Sequence, residues 1–129
     1  MATHQRDLWP ADIAVTANLQ TPVTILREQA LLLGEKTKNV VEAEVISGGN
    51  NIEFTHSFIL VAPALENYKY RLFTVRHPVE LYPLWINFDS WNEEPSEVDS
   101  EEEFVKELKV IFAHKRTKDI IQALIAQSQ

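Results

Sequence analysis

Val41-Glu42-Ala43-Glu44-Val45-Ile46-Ser47-Gly48-Gly49-Asn50-Asn51-Ile52-Glu53-Phe54-Thr55-His56-Ser57-Phe58-Ile59-Leu60 decides how this chain folds. Val41, Ala43 and Val45 alternate with Glu42 and Glu44, the two-residue period of a strand with one buried face. Gly48-Gly49-Asn50-Asn51 predicts a turn, because Gly and Asn tolerate the positive φ that tight turns need. Beyond it Ile52, Phe54, His56, Phe58 and Leu60 share one strand face, with Glu53, Thr55 and Ser57 opposite. Past Ser57 both faces are apolar, as expected of a central strand, and Pro63 ends it.

Toward the carboxyl end, Tyr68 to Val75 reads as a third strand. Its faces are Tyr68, Tyr70 and Leu72 against Lys69, Arg71 and Phe73. Long Lys and Arg stems can lie over apolar surface, so alternation alone leaves the inward face open. His77-Pro78 marks a turn. Val79 to Phe88 reads as a fourth strand whose apolar phase switches near Pro83. Proline cannot donate to a ladder, so this strand is expected at an edge or with a bulge.

Helical signals flank the strands. Thr21 suits an N-cap and Pro22 the first helical position, where its missing N–H costs nothing. Val23, Leu26, Ala30 and Leu33 form a stripe widened by Ile25 and Leu32, and Gly34 offers a left-handed stop. Ser100-Glu101-Glu102-Glu103 fits a capping box ahead of Phe104, Leu108, Ile111 and Phe112. Extending that stripe reaches Lys115 and Lys118, so a break is expected near 114–117. A last helix should start at Thr117 with Ile120, Ile121, Leu124 and Ile125 inward. The expected fold class is α+β: an N-terminal helix, a four-stranded antiparallel meander, and two C-terminal helices packed on one sheet face. Residues 1–129 form a single domain in this reading, with 1–20 partly irregular and 89–100 an acidic loop.

Composition narrows the function classes. The 129 residues contain no cysteine, which removes disulfides, thiolate metal sites and cysteine nucleophiles. No apolar run approaches the ~20 residues of a membrane-spanning helix, and no secretory signal opens the chain, so a cytoplasmic protein without a membrane partner is expected. The net charge of −7 is concentrated. Glu93, Glu94, Glu97, Asp99, Glu101, Glu102 and Glu103 lie in one stretch without Lys or Arg. Setting those seven aside leaves 12 acids against 12 bases. A neutral body with one acidic segment argues against nucleic acid, which requires a basic footprint, and leaves open a basic protein partner. His114-Lys115-Arg116-Thr117-Lys118 is one basic knot, explained by a helix end and a new helix start.

Strong chemical motifs are missing. No phosphate loop, dinucleotide-binding glycine pattern, His-Glu-x-x-His helix, EF-hand loop or nucleophile elbow occurs, and no cofactor or metal site is expected. His56, between Phe54 and Phe58 on the apolar strand face, is either a general base tuned by burial or a buried histidine with satisfied nitrogens. Hairpin neighbours converge, so His77 and Glu80 are its candidate catalytic companions, with Tyr70 or Arg71 as further groups. Trp85 and Trp91, beside Glu93, Glu94, Glu97 and Asp99, are the candidate binding surface: aromatic anchors with carboxylates steering approach. The alternative for both tryptophans is ordinary core and edge packing.

The general plan, a small acidic helix–meander–helix domain without catalytic motifs, is similar to that of many small immunity or antitoxin-like proteins. The resemblance is one of class and assigns no residue a role. Two functions follow as expectations. One is a non-enzymatic interaction module using the acidic and aromatic surface. The other is a small enzyme or ligand-binding domain with a sheet–helix pocket centred on His56. A homodimer is open to either, through the strand near Pro83 or the apolar face of the terminal helices.

Overall fold

The computed structural model describes residues 6–13, 19–88 and 94–129. Helix α1 spans Pro22–Lys36, capped by Thr21, whose hydroxyl accepts the Thr24 N–H at 3.3 Å. Ile25, Leu26 and Ala30 are buried along it, Val23 and Leu33 are half-buried, and Leu32 is exposed. Gly34 does not stop the helix, which runs on for two residues. Lys38 and Asn39 supply the left-handed turn instead, at φ 53° and 64°. The Asn39 N–H returns to the Gly34 carbonyl at 2.8 Å. What is special at Gly34 is closeness rather than conformation: a Cβ there would stand a tight 3.2 Å from the side-chain Oδ1 of Asn39.

Five strands follow: β1 (Glu42–Gly49), β2 (Phe54–Ala62), β3 (Tyr68–His77), β4 (Leu84–Asn87) and β5 (Ser96–Val98). They form one antiparallel meander in the order β1-β2-β3-β4-β5. The β1–β2 turn sits slightly later than the Gly-Gly pair suggests. Gly49 ends β1 at φ 142°, where a side chain would meet the Glu53 carbonyl. Oδ1 of Asn50 then accepts the N–H groups of Ile52 (2.7 Å) and Glu53 (3.0 Å). β2 has neighbours on both sides, and Pro63 opens a 3-10 turn, Pro63–Leu65, that ends it.

The fourth strand departs from expectation. Pro83 follows a cis Tyr82–Pro83 peptide and precedes β4, which is shortened to Leu84–Asn87. β4 is not an edge strand, because Ser96–Val98, within the stretch read as an acidic loop, pairs along it as β5. The donor that proline lacks is therefore never required by the ladder.

A bulge settles the inward face of β3. Phe58 pairs with Phe73 but Ile59 pairs with Arg71, so Leu72 is an extra residue without a partner. Tyr68 and Tyr70 lie on the same face as Phe73, Val75 and His77, while Lys69, Arg71, Thr74 and Arg76 lie on the other. Strict alternation would have turned Phe73 to the outside. With the bulge, both Leu72 and Phe73 are fully buried.

Helices α2 (Glu101–Ala113) and α3 (Lys115–Gln127) complete the fold. The Ser100 hydroxyl accepts the Glu103 N–H at 3.2 Å, and the Glu103 carboxylate reaches back to the Asp99 N–H at 2.7 Å. The expected break falls at His114, which ends α2 and caps α3, and α3 begins at Lys115, two residues ahead of the predicted start. Thr117 is buried and its hydroxyl donates to the Ile111 carbonyl at 2.7 Å, tying the two helices together. The core joins Ile25 and Leu26 of α1 and Phe104, Leu108, Ile111 and Leu124 of α2 and α3 to the inner sheet face. Phe58 and Phe73 stack at 5.3 Å, and Phe112 is tilted against both. All three helices thus cover one face of the sheet, and among the described residues no helix is long and apolar enough to cross a membrane.

Candidate functional site

His56 and His77 meet on the inner face near the start of β2 and the end of β3. Phe54 pairs with His77 and His56 with Val75, so the two imidazoles are diagonal neighbours. Their Nε2 atoms are 3.0 Å apart. Nδ1 of His56 lies 2.7 Å from the Ser47 hydroxyl, and Nδ1 of His77 lies 2.7 Å from the Pro78 carbonyl oxygen. Both rings are buried, at 6% and 4% exposure. Phe54 stacks on His77 at 5.5 Å and closes one side.

The carbonyl fixes the direction of the chain. It can only accept, so Nδ1 of His77 carries hydrogen. In the neutral ring Nε2 is then an acceptor and takes the Nε2–H of His56. Nδ1 of His56 in turn accepts the Ser47 O–H. Every ring nitrogen has a partner within the protein. Burial, and then the neighbouring His77 and Arg27, push the pKa of His56 down to about 4. A base this weak takes up no second proton at neutral pH and stays a neutral imidazole.

The remaining catalytic candidates stay apart from this pair. Glu80 is exposed in the connection after β3, and no hydrogen bond or ion pair links it to either histidine. Tyr70 shares the inner face but pairs with Leu60, with the Phe58–Phe73 rung between it and His56. Arg71 pairs with Ile59 on the opposite face. Among the described residues, no three His, Asp or Glu side chains gather to hold a metal ion.

The candidate binding residues occupy the other face and the far edge. Trp85 is half-buried on the outer face, in register with Arg76 of β3 and Glu97 of β5. The Arg76 guanidinium lies over its ring at 5.5 Å and also pairs with Glu53 at 3.3 Å. Glu94, Glu97 and Asp99 are exposed along edge strand β5 and its flanks. Trp91 and Glu93 lie outside the described residues.

Two features escaped the sequence reading. Ser47 becomes the partner of His56 only through the hairpin register, which pairs the two directly. The Gly-Gly-Asn-Asn turn was the available signal, since counting back from it brings residue 47 opposite residue 56. The second feature is a cavity of about 240 Å³ between α1, α3 and the sheet. Its floor is Phe58, Leu60 and Leu72, and Leu33, Phe112 and Ile121 wall it. The cavity does not extend to His56.

The fold and these sites define an α+β protein with a one-sided helical cover over a five-stranded meander. Comparison with protein-family models, with curated proteins and with solved structures gave no match.

Proposed function

We propose that this protein is a non-enzymatic interaction module, immunity- or antitoxin-like in general character, whose partner is a basic protein. The contact surface in this reading is the outer face at β4 and β5 together with the acidic segment that leads into α2. One observation carries it: Trp85 stands between Arg76 and Glu97 on the face opposite α1, α2 and α3, beside the exposed carboxylates of Glu94, Glu97 and Asp99. An aromatic anchor flanked by fixed charges, with acids along the rim, is the composition of a recognition patch. The His56-centred alternative has less support, since a general base needs a free nitrogen within reach of its substrate and all four ring nitrogens are engaged internally.

The test is affinity capture of host proteins on the immobilised chain at low and high salt, alongside the triple variant Glu94→Gln, Glu97→Gln, Asp99→Asn. We expect a basic protein held at low salt, released at high salt, and held poorly by the variant, because surface charges act over a Debye length that shrinks with salt. Equal retention by the parent and the variant would remove the acidic segment from the interface.

A further inference from the structure

We propose that the cavity between α1, α3 and the sheet is a binding site for a small amphiphilic carboxylate, of which a medium-chain fatty acid is the simplest form. The interior is built for an apolar body. Phe58, Leu60 and Leu72 floor it, and Phe112 and Ile121 close one side. The single hydroxyl in the wall, that of Thr117, is spent on the Ile111 carbonyl at 2.7 Å. Such a space gains nothing by holding water, which needs two or more polar partners.

The two remaining polar groups of the lining both belong to α1. Gln29 and Lys36 are two helical turns apart, on the side of α1 that borders the cavity, and Lys36 is exposed. Lys36 closes the last turn of the helix. The Lys36 ammonium, beside a cavity whose other lining is apolar but for one amide and one spent hydroxyl, matches a carboxylate head on a hydrocarbon tail. Among the described residues, neither an acidic side chain nor a second cation lines the cavity, so the complement is one negative charge. Size sets the tail. A cavity of roughly 150 Å³ accommodates benzene, with six carbons, so 240 Å³ corresponds to roughly eight to ten. Leu32, 42% exposed and also in the lining, gives an apolar lip over which a chain can enter. This site is separate from the Trp85 surface and does not depend on it.

Titration of isotope-labelled protein with decanoate and with decanol, followed by amide and methyl NMR, tests the proposal. Decanoate should move the resonances of Leu33, Leu60, Leu72 and Ile121 in a saturable way, and bind more tightly than decanol. Lys36→Gln, a change at an exposed position, should weaken decanoate by about tenfold and leave decanol unchanged, as expected for one charge-assisted contact. Leu33→Phe should fill the cavity and abolish binding of both while its thermal midpoint stays at or above the parent's. Shifts scattered over the surface, or decanoate binding that survives Leu33→Phe in a folded protein, would overturn the site. Equal affinities for acid and alcohol, unaffected by Lys36→Gln, would overturn the carboxylate. A change of oligomeric state in Leu33→Phe would show the cavity filled by a second copy, and would equally overturn it.

Discussion

At the scale of single residues, His56 makes stability depend on pH in a defined window. His56 has its folded pKa lowered to about 4 from an ordinary 6.5. Between these values the unfolded chain binds a proton that the folded chain refuses. Stability is therefore lost as pH falls from about 6.5 toward 4, and is flat above. The span corresponds to on the order of 3 kcal/mol. Urea midpoints measured from pH 4.5 to 7.5 should rise with pH, and in His56→Gln the rise should flatten; a parent curve already flat across that range would contradict the sealed network. Gly49 is the second residue with a sharp requirement. Its φ of 142° and the adjacent Glu53 carbonyl leave no room for a Cβ. Gly49→Ala should cost about 1–3 kcal/mol, read as a lowered denaturant midpoint with an unchanged slope. The pattern around His56 was legible in the sequence because Phe54, His56 and Phe58 alternate. Its partner Ser47 was not, because a register is a relation between two strands and no residue carries it alone.

At the scale of elements, the helix N-caps obeyed local chemistry, while one helix end and the strand ends did not. Thr21, Pro22 and Ser100 act as read, since a cap satisfies N–H groups within its own first turn. Ser100→Ala should lower stability by about 1 kcal/mol, seen as a shift in the thermal midpoint without loss of helical circular dichroism at 25 °C. Gly34 misled because left-handed caps are available to Asn as well, and Asn39 takes that role five residues later. The inward face of β3 stayed open because a bulge shifts alternation by one residue. Leu72 and Phe73 are both buried only because the sheet tolerates two residues against one of β2 at that point. Three residues of β5 are too few to leave a periodic pattern, and their partner β4 supplies what order they have.

At the scale of the whole molecule, the three stacked and tilted rings of Phe58, Phe73 and Phe112 tie the two central strands to α2. Phe73→Ala should cost about 3–5 kcal/mol, a large share of the total stability of a domain this size. Equilibrium unfolding by fluorescence and by circular dichroism should give coincident transitions for the parent, and for the variant a midpoint lowered to match. The molecule also separates its charge from its core. Helices take one face of the sheet, leaving Glu44, Lys69, Arg76 and Trp85 on the other, where Glu44 and Lys69 pair at 2.8 Å.

The sequence by itself determined the class of fold, the order of helix, meander and two helices, the N-caps at Thr21 and Ser100, and the concentration of acid before α2. Each of these depends on neighbours within a few positions along the chain, or on composition, and both are visible in one dimension. Only the tertiary structure decided that β5 takes the edge from β4, that β3 bulges at Leu72, that Ser47, His56 and His77 close on one another, and that a cavity opens between α1 and α3. These are contacts between segments far apart in sequence, and they are set by how much apolar surface each packing arrangement removes from water.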